Sequence, residues 1–180
     1  MWREFHAIKR HKGNMRTLLE FDTPQIYCDM DGVLADFDSG VNKMIGGKFN
    51  DNRWVELPDD FFYQIEPMSD AKKLWGFISK YEPFILTAIP RESRGPIALR
   101  AAQDKTKWMK RWFGVSPDRM YPVSRKNKAN FAIDGRDGRP NLLIDDHLGN
   151  IQEFRKARGI GVHHTNASNS IRQLKEIGYR

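Results

Sequence analysis

Two short apolar runs, far apart in the chain, each end in a pair of acids, and this constrains the fold more than any other feature. Gln25-Ile26-Tyr27-Cys28 follows Pro24 and stops at Asp29-Met30-Asp31-Gly32, while Asn141-Leu142-Leu143-Ile144 stops at Asp145-Asp146. Apolar runs of this length, bounded by turn-forming residues, read as buried strands. In an open parallel sheet, ligands sit beyond the carboxyl ends of the strands. If these two strands are neighbours, Asp29, Asp31, Asp145 and Asp146 converge, and like charges at such range call for a bound cation. Carboxylates favour a hard, oxygen-preferring ion such as Mg²⁺. One Asp-x-Asp-Gly alone is as readily a turn; the coincidence of two strand ends is what points to a site.

The rest of the chain supplies the alternation that a parallel sheet needs. Residues 33–44 carry apolar positions at helical spacing before Gly46-Gly47 breaks the pattern, and residues 48–67 form an aromatic insertion around Trp54, Phe61, Phe62 and Tyr63. Ser69 is the expected N-cap of a helix over 71–80, and 84–88 reads as a buried strand closed by Pro90. Residues 98–113 predict a long amphipathic helix with Gly114 as its C-cap; Lys105, Lys107, Lys110 and Arg111 are interspersed along it, as on a solvated face. An edge-like strand over 120–123, a short helix over 128–132, a helix over 151–158 and a strand over 159–162 complete the reading. Strands alternating with helices predict an α/β fold with a mainly parallel sheet.

At 180 residues the chain is long enough for one domain with a small insertion, and 39% hydrophobic residues suffice for a packed core. The longest apolar run, 84–88, is far shorter than the roughly 20 residues that cross a bilayer. The polar, basic start of the chain has no secretory character, so no membrane partner and a cytoplasmic location are expected. The single cysteine, Cys28, excludes an internal disulfide and a thiolate zinc cage. His147, His163 and His164 lack acids at ligand spacing and read as surface or loop residues. The net charge of +7 is uneven: residues 1–20 contribute +3, residues 51–82 contribute −3 and residues 99–128 contribute +7. That basic segment suits a phosphate-bearing ligand or nucleic acid.

The run Asp29-Met30-Asp31-Gly32-Val33-Leu34-Ala35-Asp36-Phe37 resembles the first motif of the haloacid dehalogenase-like phosphohydrolases, and more narrowly the 5′(3′)-deoxyribonucleotidases. The resemblance continues in order through Trp54-Val55, the stretch 60–67, Ile85-Leu86-Thr87, Lys107-Trp108, Phe113-Gly114 and Leu142 to Asp146, and so spans residues 25–150. It implies a Rossmann-like three-layer sandwich, with a catalytic core of residues 23–38 and 84–180, a small helical cap at 39–83 and a basic N-terminal extension at 1–22.

The resemblance implies that Asp29 is the nucleophile, that Asp31 is the acid and base, and that Mg²⁺ is held by Asp29, by the backbone carbonyl of Asp31 and by Asp145 or Asp146. An ionised carboxylate is a competent nucleophile near neutral pH, and an acid two residues on is placed to serve the leaving oxygen. Thr87 matches the residue that binds phosphoryl oxygens; Ala88 follows it where the family often has Ser. For the cation that neutralises phosphoryl charge the expectation is Lys128, with Lys126 the alternative, and Arg125 matches a position near substrate. Phe37 and Trp54 match aromatics that stack on a base, with cap core as the other reading of Trp54. Arg53 stands where the family has an aromatic.

The function expected is therefore Mg²⁺-dependent hydrolysis of (deoxy)nucleoside monophosphates by a monomer or homodimer. The alternatives are a phosphatase of polynucleotide ends, motivated by the basic segment, and a non-catalytic nucleic-acid-binding module. Against the last stands the cluster of acids, which repels phosphate unless a cation intervenes. Nucleic acid ranks second to a small nucleotide as partner.

Overall fold

The computed structural model describes residues 23–135 and 137–180, with Glu92 described by its backbone alone; the N-terminal extension, residues 1–22, lies outside the described residues. Five strands form one sheet: β1 (Ile26–Cys28), β2 (Phe84–Ile89), β3 (Met120–Ser124), β4 (Leu142–Asp145) and β5 (Ile160–His163). Their spatial order is β3-β2-β1-β4-β5 and every pairing is parallel. Cys28 pairs with Ile144 and with Ile85, so the acid-bearing strands are direct neighbours at the centre of the sheet. The α/β expectation therefore holds.

Because side chains alternate along a strand, each central strand feeds two cores. Ile26, Cys28, Ile85, Leu142 and Ile144 are buried in one core together with Trp108, Met109 and Leu174. Tyr27, Leu86 and Leu143 pack on the other with Ile151 and Phe154. The first core draws on α3 (Ala71–Ile78), α4 (Pro96–Phe113) and α6 (Ala167–Ile177), and the second on α5 (Leu148–Lys156). Burial on both faces explains why the strands read as continuous apolar runs.

Several element boundaries differ from expectation for local physical reasons. The helix expected over 33–44 is α1 (Phe37–Ile45), because residues 30–35 close a tight loop in which Leu34 and Ala35 both donate to Met30 O, and Asp36 then caps the helix by accepting from Ser39 N. That loop is also tied to the insertion, through Asp36 N to Glu66 O and Met68 N to Leu34 O. Asp70, not Ser69, stands at the start of α3, and its carboxylate accepts from Ala167 N at 2.6 Å, the first residue of α6. The short helix expected over 128–132 is a 3₁₀ segment, Arg125–Phe131. Helix α6 was not anticipated, although Asn166 caps it and Gly178 ends it. Between α1 and α3 the insertion holds a 3₁₀ turn, Asp51–Glu56, and α2 (Phe61–Gln64).

Candidate active site

The carboxyl ends of β1 and β4 deliver the predicted acids to one place. Oxygens of Asp29, Asp145 and Asp146 lie within 4.8 Å of one another. Asp29 and Asp145 are buried and Asp146 is exposed. Gly32 makes this approach possible: its φ of +73° is a left-handed conformation, and a Cβ there would stand 2.3 Å from Asp146 Oδ2. Burial raises the carboxyl pKa of Asp145 to about 6, and desolvation of the Asp146 carboxylate, which is tucked against Gly32 although the residue as a whole is exposed, raises its pKa to about 7, with the charge of Asp29 adding to both.

Lys128 is the cation set among them. It is buried, with Nζ 2.8 Å from Asp29 Oδ2 and 2.7 Å from Asp145 Oδ2. Burial disfavours its charge, but Asp29 and Asp145 outweigh that and raise its pKa. Lys126 is exposed. Asp145 also accepts from His147 N at 2.8 Å and from Asn150 Nδ2 at 2.9 and 3.1 Å, so both of its oxygens are engaged. Asp29 Oδ1 accepts from its neighbour, Met30 N, at 2.8 Å. The donor set is hard oxygen throughout and crowded with negative charge, which suits Mg²⁺.

A second lysine was missed. Lys105, in the middle of α4, is wholly buried, and its Nζ donates to Asp31 Oδ2 at 2.6 Å, Thr87 Oγ1 at 2.9 Å and Ala88 O at 2.7 Å. Burial raises the Asp31 pKa and Lys105 opposes the rise. The signal was present: Lys105 stands four residues after Ala101 and three before Trp108, on the apolar stripe of its helix. Two of the cations in the basic segment are thus interior, and others are paired: Arg100 with Asp59 and Arg119 with Glu82.

Of these groups, Asp29, Asp31 and Asp146 line a cavity of about 1140 Å³ whose walls also include Ala88, Arg125 and His147, whereas Thr87, Lys105, Lys128 and Asp145 are buried and do not line it. Phe37 and Trp54 line its cap side. Both also pack within the insertion's aromatic cluster, Phe37 against Phe49, Phe61 and Phe62, and Trp54 against Phe49 at 4.6 Å between centroids. Arg125 is exposed at the rim. Arg53 turns away from any base-stacking role: it donates to the carbonyls of Ile45, Gly46 and Lys48, closing the loop after α1, and pairs with Glu56. Of the histidine pair, His164 is buried, against Ser170 Oγ at 2.8 Å, whereas His163 is half-buried, with Nε2 2.9 Å from Asp146 O, and His147 is exposed. A second cleft, of about 890 Å³, lies at the opposite strand ends between Gln25, Phe84, Tyr121 and Asn141.

The chain is 30% identical over 132 residues, 72% of its own length and 69% of the relative's, to a Vibrio phage KVP40 protein named "Putative 5′(3′)-deoxyribonucleotidase". No family profile matches it. Among solved structures it is similar to a hydrolase from Streptococcus pneumoniae TIGR4, with a TM-score of 0.47 and 11% identity over 86% of this chain and 98% of that one. A hydrolase from Pseudomonas syringae gives 0.45 and 16% over 86% and 90%. Likeness at that level carries no argument about chemistry.

Proposed function

Since the chain belongs to the family of the 5′(3′)-deoxyribonucleotidases, we propose that it is a Mg²⁺-dependent phosphomonoesterase converting (deoxy)nucleoside monophosphates to nucleoside and phosphate through an aspartyl-phosphate. The observation that carries this reading is the meeting of Asp29, Asp145 and Asp146 with buried Lys128 at adjacent strand ends. Residues 23–38 and 84–180 act as the catalytic half and residues 39–83 as the cap. The enzyme works in the cytoplasm, as a monomer or homodimer, on a small nucleotide.

In this proposal Asp29 attacks phosphorus and the ester oxygen leaves as Asp31 protonates it. Asp31 then takes a proton from the water that hydrolyses the acyl phosphate. Burial holds Asp31 above the ordinary carboxylate range, as an acid that must carry a proton requires. Lys128 neutralises charge gathering on the phosphoryl oxygens, and the Thr87 hydroxyl binds one of them. Asp29, the Asp31 carbonyl and Asp146 would hold Mg²⁺, which when bound would supply further positive charge against the phosphate. Asp145, whose oxygens are already taken by Lys128, Asn150 and His147 N, acts mainly to fix Lys128. Phe37 and Trp54 face the base, and Arg125 stands near the substrate at the rim.

The test is a phosphate-release screen over nucleoside monophosphates and sugar phosphates, with and without Mg²⁺. Release from deoxynucleotides that EDTA abolishes is expected; release from sugar phosphates alone would overturn the nucleotide assignment.

A further inference from the structure

The ammonium of Lys105 has three N–H donors, and all three are used on Asp31, Thr87 and Ala88. Its remaining side lies 4.4 Å from the centroid of the Phe62 ring in the cap. A buried lysine saturated in this way has no N–H left for a phosphate, so whatever it contributes to turnover passes through its partners. Asp31 is the partner whose freedom it restricts most. Oδ2 is held by Lys105, whereas Oδ1 is buried and has no hydrogen-bond partner among the described residues. A buried carboxyl oxygen without a partner is costly in a resting protein and is expected where a ligand group completes the bond.

We propose that Lys105 is a positioning residue for leaving-group protonation: it grips Asp31 by Oδ2 and so fixes the orientation of the carboxyl that must reach the ester oxygen. The same ammonium ties that carboxyl to Thr87, so the acid and the phosphate-binding hydroxyl keep a fixed spacing. The proposal rests on Asp31 being the proton donor, as argued above. Removing the grip lets the carboxyl rotate, and misplacement of about 1 Å costs on the order of 10²-fold.

A leaving group that needs little protonation makes the test specific. Lys105→Met keeps the length of the side chain and removes its donors. For this variant, kcat/KM is measured on a deoxynucleoside monophosphate and on 4-nitrophenyl phosphate in the same preparation. The ratio of the two is independent of how much protein is folded, so a destabilised preparation still reports. The ratio is expected to shift against the nucleotide by about 10- to 100-fold. Lys105→Gln, whose amide still donates to Asp31, should restore part of the shift. Asp31→Asn should shift the ratio at least as far, and adding Lys105→Met to it should change the ratio no further, because the two act on one step. Equal loss on both substrates in Lys105→Met, or shifts that multiply in the double variant, would overturn the positioning role. An unchanged ratio in Asp31→Asn would instead remove Asp31 as proton donor, and the role of Lys105 with it.

Discussion

Lys128 and Lys126 are two positions apart and chemically identical, yet only one is interior. Lys128→Ala strips the cation from between Asp29 and Asp145, leaving two buried carboxylates facing each other. Turnover should fall by about 10² or more, with Lys126→Ala changing it little, in steady-state assays at saturating substrate. The reverse order would transfer the role. At Gly32 the argument is steric: a methyl group would collide with the Asp146 carboxylate at 2.3 Å on a backbone that already disfavours side chains. Gly32→Ala should therefore raise the Mg²⁺ concentration for half-maximal activity, by about tenfold if Asp146 is the ligand displaced, which is a loss of roughly 1.4 kcal/mol. A Mg²⁺ titration that superimposes on the wild type would count against Asp146. The acids were legible as residues, because each pair ends an apolar run. The burial of Lys105 was legible only as its place on the apolar stripe of α4; its partners Asp31, Thr87 and Ala88 were not, because they lie on other elements of the chain.

At the scale of elements, helix ends show how distant segments are coupled. Asp70 stands at the start of α3 but accepts from the first backbone N–H of α6, so one carboxylate joins two helices on the same face of the sheet. Asp70→Ala should cost about 0.5–2 kcal/mol, as loss of a helix cap does, and leave kcat and KM for a nucleotide unchanged. Urea unfolding alongside kinetics measures both, and a changed kcat would mean that α6 reaches the site. The insertion makes a separable prediction. Trp54 borders the cavity and also packs on Phe49. Stacking on a base is worth roughly 0.5–1.5 kcal/mol beyond area, so Trp54→Ala should raise KM for nucleotides about threefold to tenfold and leave 4-nitrophenyl phosphate nearly unaffected. Equal effects on both, with a lower melting temperature, would assign Trp54 to the cap core. Helix α6 escaped sequence reading because its signals, Asn166 before it and Gly178 after it, are short and frame a mostly polar segment. The start of α1 was misjudged because long-range bonds to Glu66 and Met68, invisible to local periodicity, hold residues 33–36 out of the helix.

For the whole molecule, the crowded acids tie stability to pH and to the metal. The Asp146 carboxyl titrates at about 7 in the fold against an ordinary value of about 3.9, and Asp145 at about 6. A carboxyl raised in this way lends stability that is fully present below its unfolded pKa and is lost as pH rises through the folded value. The lowered pKa values of His164 and His147 work the other way, because these imidazoles bind protons more readily in the unfolded chain, but half of that titration is already past at pH 6.5 and the acids outweigh it up to pH 8. The metal-free protein should therefore melt at a higher temperature at pH 6.5 than at pH 8, and Mg²⁺ should raise the melting temperature more at pH 8, where it no longer competes with a proton. Thermal melts at both pH values, with EDTA and with Mg²⁺, measure this; a profile that Mg²⁺ leaves unchanged would contradict metal binding at these acids. Sequence alone determined the α/β class, the strands that carry the acids and the family, because burial on both faces of a parallel sheet forces apolar runs and a strand-end site forces polar residues directly after them. Only the tertiary structure decided which lysines are interior, which aspartate is saturated and which is open, and that Arg53 closes a loop rather than touching a base. Those outcomes depend on which surfaces meet across the sheet, and partners brought together from 74 residues apart, as Asp31 and Lys105 are, leave no trace in local spacing.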